Sequence, residues 1–295
     1  MAGDDVFTLR RLTAVSLDSS IEFNGDAGKN TIVVTGQSSG TENLLFADGA
    51  FGYVGHPNAI TYTEADQIQL GWSGAASTLH VSGGAPIKVV TRAIWQSLLV
   101  DGNGRVTLDA PQFTNGFAIA DQGIVDLAGS RELLVNHAPG GPTPIATIQT
   151  YINRARTSGT WNGLGLFPVL ANNAPPARNV TVGLLESADY KAIYGANASF
   201  GDFAMDASCV LIKPTFYGDT DLDGAVDFDD YSRIDAGFNN NRTGWLNGDV
   251  DGNGIVDFDD YSLIDQAFNT QGSALRPAVP PLGGKPSKGG GVAVR

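Results

Sequence analysis

A twelve-residue acidic pattern occurs twice in this chain, thirty positions apart. The first copy runs Asp219-Thr220-Asp221-Leu222-Asp223-Gly224-Ala225-Val226-Asp227-Phe228-Asp229-Asp230, and the second runs Asp249-Val250-Asp251-Gly252-Asn253-Gly254-Ile255-Val256-Asp257-Phe258-Asp259-Asp260. Both fit the calcium-loop spacing D-x-[DN]-x-[DN]-G-x5-acid, with Asp in the closing position. The chemistry asks for this spacing because Ca2+ gathers about six to eight hard oxygens. Positions one, three and five point inward, position seven offers its carbonyl, and glycine at six permits the tight reversal. The expected side-chain ligands are Asp219, Asp221, Asp223 and Asp230 for one Ca2+, and Asp249, Asp251, Asn253 and Asp260 for a second. Ala225 and Ile255 are expected to supply carbonyls, and Asp227 and Asp257 to act through water. Asn253 is neutral where the first loop has Asp223, so ligand charge alone predicts weaker binding at loop two. Asp229 and Asp259 are read as outward acids at helix starts, where the dipole favours them.

The flanks repeat as well. Gly-Asp opens each copy, and Val-Asp-Phe-Asp-Asp-Tyr-Ser-x-Ile-Asp-x-x-Phe-Asn closes it. The unit is therefore a loop followed by a helix, duplicated. Tyr231, Ile234 and Phe238, and then Tyr261, Ile264 and Phe268, fall at three- and four-residue intervals and give each helix one apolar face. The two faces are expected to pack on each other. Crowded carboxylates repel without metal, and a pair of short helices has little core, so the unit is expected to fold only with metal. On these residues the segment from Tyr217 to Asn269 resembles a type I dockerin. That resemblance implies a module that docks onto a cohesin-like receptor, with two repeats forming an approximately two-fold face. The partner-reading positions of that family, ten and eleven, are here Phe228-Asp229 and Phe258-Asp259. Upstream, the stretch from Leu133 through Ile145-Ala146-Thr147-Ile148-Gln149, the turn at Gly159-Thr160-Trp161-Asn162-Gly163 and the run Val210 to Tyr217 are similar to large secreted bacterial proteins. Those proteins carry autotransporter-associated β-strand repeats before a dockerin-like pair.

Eleven of the 31 acids lie in the two loops, and the remaining twenty nearly balance 18 Lys and Arg. The net charge of −13 therefore speaks against nucleic acid and anionic lipid as partners. With 38 Gly and 14 Pro among 295 residues, short strands and turns are favoured over a helical bundle. Seven β-prone runs punctuate the first 140 residues: Thr31–Thr35, Ala59–Thr63, Ser77–Val81, Ile87–Thr91, Arg105–Leu108, Gly123–Leu127 and Glu132–Val135. Their spacing fits a mostly β body, a β-solenoid-like or β-sandwich fold, and the run Leu98 to Val135 looks most like solenoid rungs, without a strict period. Thr143 and Pro144 start a short helix near 143–156, whose face Ile145, Ile148, Ile152 and Ala155 is read as a cap on the β core. The expected organisation is a β-rich body over 1–216, the small α module over 217–269, and a flexible basic Gly/Pro-rich tail over 270–295. Cys209, the single cysteine, sits in an apolar run and is read as an inert buried thiol. No run approaches a membrane span, and Met1-Ala2-Gly3-Asp4-Asp5 lacks the features of an export signal.

No G-x-S-x-G, P-loop, paired CxxC or H-E-x-x-H occurs, and His56, His80 and His137 are dispersed. The acids Glu42, Glu64, Asp66, Asp121, Glu132 and Glu186 show no spacing that supports a glycosidase pair. Trp72, Trp95, Trp161 and Trp245 are assigned to core packing rather than to sugar stacking. The expectation is a non-enzymatic extracellular or cell-surface protein whose calcium-stabilised module docks a cohesin-like receptor or further copies of itself, without membrane insertion, and with cell-surface polysaccharide as a further candidate partner. The alternative is a dockerin-bearing component of polysaccharide degradation, as hydrolase or carbohydrate binder.

Overall fold

The computed structural model describes residues 6–10, 22–24, 31–37, 43–47, 50–53, 60–63, 65–73, 77–128, 131–168, 179–201 and 203–275. The expectations for Met1–Asp5, Glu42, His56, Ala59, Glu64 and 276–295 lie outside these residues, as does the side chain of Trp72.

The chain is mostly β, and its body is a β-solenoid. One parallel sheet stacks β1 (Val6–Arg10), β3 (Thr31–Gln37), β7 (Gln67–Ser73), β9 (Ile87–Val89), β11 (Arg105–Leu108), β14 (Ile124–Leu127) and β16 (Gly165–Pro168) in that order. The second sheet runs β17 (Val180–Glu186), β20 (Cys209–Phe216), β15 (Leu133–Asn136), β12 (Gln112–Thr114), β10 (Ala93–Val100), β8 (Ser77–Val81), β4 (Asn43–Ala47), β5 (Ala50–Tyr53), β6 (Ile60–Thr63) and β2 (Glu22–Asn24), with β13 (Phe117–Ile119) also beside β10. β18 (Ser199–Phe200) and β19 (Phe203–Ala204) form a separate hairpin. The helices are α1 (Ile145–Arg156), α2 (Ser187–Tyr194), α3 (Phe228–Asn239) and α4 (Phe258–Thr270).

Between Ile68 and Leu127 the rungs repeat every 19 residues, a step that the sequence reading did not find. Ile68, Ile87, Val106 and Val125 stand in register at steps of 19 residues (68 to 87, 87 to 106, 106 to 125), and so do Leu70, Val89, Leu108 and Leu127. On the opposite sheet Leu79, Leu98 and Phe117 follow the same step, as do Val81, Val100 and Ile119. Inward residues of both sheets merge in one apolar core. The glycines at the turns repeat with the rungs. A methyl at Gly104 or Gly123 would collide with the carbonyl of Val81 or Val100 on the rung before. A polar clamp sits inside: Gln112 accepts from the Trp95 indole at 2.8 Å and donates to the carbonyls of Thr91 and Ala110.

α1 interrupts the stack between β15 and β16. Thr143 Oγ1 accepts the Ile145 amide, and Ile148, Ile152 and Ala155 are buried in the solenoid core. The parallel pairing ends where β20 joins β15 antiparallel and β17 joins β20 antiparallel. Every residue of β20 is buried, because it is a wall between two cores. Val210 and Ile212 face the solenoid core, whereas Cys209, Leu211 and Phe216 belong to a second core. That second core also holds Tyr190 of α2, Phe200, Phe203, Leu222, Val226, Ile234, Trp245, Val250, Val256, Ile264 and Ala267.

Two parts of the expected organisation change here. The helices after the loops do not depend on their own small interface, because they share a core with the closing strands. The expected tail also begins too early. Thr270 ends α4, Gln271 bonds both the amide and the carbonyl of Val226, and the Leu275 amide reaches the carbonyl of Gly224 at 2.9 Å. Residues 270–275 are thus a strap across loop one. Trp95, Trp161 and Trp245 are buried, and burial, with Asp206 next, pushes the Cys209 thiol up to about 12. Among the described residues no helix is long and apolar enough to cross a membrane.

Candidate metal centres

β20 delivers the chain into loop one, and the two-residue period of a strand sets which side chains face it. Lys213 and Thr215 share the parity of Leu211, so they project to the side of the second core, under Asp219. Each loop is entered through a glycine with positive φ, Gly218 at 93° and Gly248 at 96°, and reverses at Gly224 and Gly254, at 94° and 92°. At position four both loops turn left-handed, in Gly252 at 70° and in Leu222 at 62°, the latter a residue type that adopts this shape only under constraint. The constraint is packing: Leu222 is fully buried, and a methyl added to Gly183 on β17 would lie 2.6 Å from it.

The loops end in matched caps. Asp227 and Asp257 accept the amides of Asp229 and Asp259 at 2.8 Å, while Asp230 and Asp260 accept the amides of Asp227 and Asp257 in return. Asp227 and Asp257, expected to act through water, also cap the helices that follow. Asp229 and Asp259 are exposed, as the helix-start reading has it. The helices interlock reciprocally. Ile264 covers Gly218 of the first loop and Ile234 covers Gly248 of the second. The Tyr231 hydroxyl donates to Asp265 and the Tyr261 hydroxyl to Asp235, each at 2.6 Å, and Tyr231 meets Phe268 edge-on as Tyr261 meets Phe238.

One carboxylate oxygen from each of Asp219, Asp221 and Asp223 lies within 4.8 Å of the others, and the same holds for Asp249, Asp251 and Asp260. Such sets of hard oxygens suit Ca2+. The sets are not the same. In loop one, Asp230 is turned to the Thr220 amide at 2.9 Å, the Thr220 hydroxyl at 2.7 Å and Arg233 at 3.5 Å. Arg233 also reaches Asp221 at 3.1 Å. Asp219 has both oxygens engaged, one by the Asp223 amide and the other by the Gly224 amide and the Thr215 hydroxyl. Burial holds the Asp219 carboxyl well above its ordinary range, with buried Lys213 offsetting only part of the rise. In loop two, Asp260 belongs to the gathered set. Asp249 accepts the Gly244 and Gly254 amides on one oxygen, both at 3.2 Å, while its other oxygen is buried with no hydrogen-bond partner among the described residues. An orphaned carboxylate oxygen inside a ring of acids is what a cation-shaped site leaves, so the donor set fits a divalent ion. Asn253 Oδ1 accepts the Ile255 amide at 2.8 Å, as Asp223 accepts that of Ala225.

Sequence spacing missed the cations around the loops. Lys213, Arg233 and Arg156 come from β20, α3 and α1, and only the fold brings them in. Arg156 sits 3.7 Å from Asp251, and Asn153 of α1 donates to the Gly252 carbonyl at 2.7 Å. The single available sign was the repeat itself, which has Arg233 where the second copy has Leu263. The other acids go elsewhere: Glu186 accepts from Thr143 and stands 3.4 Å from His137, His80 pairs Asp101 at 2.9 Å, and Asp121 accepts the Gly102 amide. No protein family, no curated protein and no solved structure matches the chain.

Proposed function

We propose that this is a non-enzymatic extracellular or cell-surface protein in which two Ca2+ ions brace a duplicated, dockerin-like loop–helix unit, and that the unit docks a protein partner, a cohesin-like receptor or another copy of the chain. The observation that carries the reading is a coincidence repeated in both copies. At the start of the helix after each loop stands an exposed phenylalanine, Phe228 at 79% and Phe258 at 75% exposure. Each leans on the far helix, Phe228 on Phe268 and Phe258 on Phe238, both of which are also exposed. Large apolar side chains held out to water at equivalent positions are characteristic of a contact surface. The ions would hold Asp219, Asp221, Asp223 and Asp230 with Ala225, and Asp249, Asp251, Asn253 and Asp260 with Ile255, and so fix the helix starts that carry the phenylalanines. Millimolar calcium outside cells suits modules of modest affinity.

The test is mass by light scattering on metal-stripped protein with and without millimolar calcium, together with capture on an immobilised cohesin panel. Calcium-dependent dimers, or calcium-dependent capture, both lost in Phe228→Ser/Phe258→Ser, are expected. A chain that neither binds calcium nor changes its associations with it would end the reading.

A further inference from the structure

Resting on the reading of the loops as calcium sites, a second conclusion concerns how they differ. We propose that Lys213 and Arg233 act as tethered counter-cations for loop one, so that loop two, built around Asp249, is the tighter and more metal-dependent of the two sites. Ligand charge alone points the other way, because loop two has Asn253 in place of Asp223.

In loop one the acids already have protein partners. Arg233 places one nitrogen 3.1 Å from Asp221 and another 3.5 Å from Asp230, and so bridges two of the four expected carboxylates. It comes from the first turns of α3, where the repeat in α4 has Leu263, a side chain with no charge to offer. Lys213 enters from below, fully buried on β20 beneath the first loop, with its Nζ donating to the Leu222 carbonyl at 3.2 Å. Thr215 and two backbone amides complete both oxygens of Asp219. Asp230, the closing ligand, is held by Thr220 and Arg233 outside the gathered set. A divalent ion entering here must work against a fixed guanidinium and draw Asp230 away from three donors.

In loop two the carboxylates have fewer partners from the protein. Asp249 is only 4% exposed, and one of its oxygens has no hydrogen-bond partner among the described residues. A buried carboxylate oxygen left unpaired costs more than any neutral group would, and a cation removes that cost. Asp260 is already within the set, joined to the Val250 and Asp251 amides at 2.8 and 3.2 Å. The nearest cation, Arg156, is 3.7 Å from Asp251 and is engaged by the Tyr217 hydroxyl at 2.9 Å, so it touches one ligand and bridges none. Loop two is therefore assembled for an ion that the protein does not itself replace.

The experiment is a calcium titration of the full metal-stripped chain by calorimetry, with a chelator competition for the tighter step. Two steps separated by at least about tenfold are expected. Asp260→Asn should abolish the tighter step, whereas Asp223→Asn, which gives loop one the Asn that loop two already carries, should weaken only the weaker step. Arg233→Leu, which copies the second repeat, should tighten the weaker step about tenfold and leave the other unchanged. If Asp260→Asn fails to fold, Asn253→Asp on an exposed residue assigns the step instead, because it should strengthen only the tighter one. Equal constants, loss of the tighter step in Asp223→Asn, or an Arg233→Leu variant that binds no better would overturn the inference while leaving the calcium reading in place. No uptake by the unaltered chain would remove both.

Discussion

Burial lifts the Asp230 carboxyl to about 7 and that of Asp260 to about 6, although backbone amides on both pull the other way. An acid whose folded value lies above its ordinary 3.8 binds more protons folded than unfolded between the two, so stability falls as pH rises through that window. With a chelator present, the protein is therefore expected to lose stability from about pH 5 to about pH 7 through these groups, and the loss should shrink in Asp230→Asn. Calcium bound as proposed would select the ionised forms, so it should reverse the trend and release protons, measurable as melts at both pH values and as a buffer-dependent heat. A stability that climbs over this window without metal, unaffected by Asp230→Asn, would contradict the argument. Leu222 sets two residue-level effects against each other. Its left-handed backbone costs about 1 kcal/mol that glycine would recover, while its fully buried side chain contributes about 3 kcal/mol. Packing wins, so Leu222→Gly is expected to cost about 2 kcal/mol in a urea titration, even though glycine occupies this position in loop two.

Strands and helices were legible where their period is short. In β11 buried Val106 and Leu108 alternate with Arg105 and Thr107 as the chain spells them, and in α1 the spacing of Ile145, Ile148, Ile152 and Ala155 after Pro144 marks a helix with one apolar face. The 19-residue rung was not legible. What recurs at each step is a place in the core and not an amino acid: Ala93 and Gln112 stand one above the other. Hairpin β4–β5 and helix α1 also stretch neighbouring steps, so that Leu44 pairs with Leu79 and Ile124 with Gly165. The stack makes an element-level prediction. Val106 lies between Ile87 and Val125 in the core, so Val106→Ala should cost about 2 kcal/mol by denaturant midpoint, whereas Thr107→Ala on the outer side of the same strand should cost less than about 0.5 kcal/mol. Comparable losses at the two positions would mean that the rung core is not what carries the strand.

For the whole molecule, β20 is the decisive element, because both cores are built on its two faces. Anything that tightens the loops also holds that wall. Trp245 donates from its indole to the Asp219 carbonyl at 2.8 Å and packs where a methyl on Gly183 would meet it, while α1 reaches from the solenoid core to loop two through Asn153 and Arg156. Calcium at about a hundred times its dissociation constant adds roughly 2.7 kcal/mol to whatever folds with the site. That gain is expected to raise the melting of the solenoid as well as of the loops, in one transition. Tryptophan emission of Trp245→Phe, which then reports the body, should shift with calcium as far as far-ultraviolet dichroism does. A body transition indifferent to calcium would show that the two cores melt apart.

The sequence by itself determined the local chemistry: two acidic loops, the glycines at their reversals, one helix after each, and strands that alternate. These follow from interactions within about a dozen residues, where spacing is geometry. The tertiary structure alone decided the period of the solenoid, the shared core that ends the expected boundary at Tyr217, and the strap over residues 270–275. It also decided which loop keeps a buried carboxylate oxygen without a hydrogen-bond partner among the described residues. Lys213, Arg233 and Arg156 reach the loops from three different elements, and charge acts through space without regard to chain order.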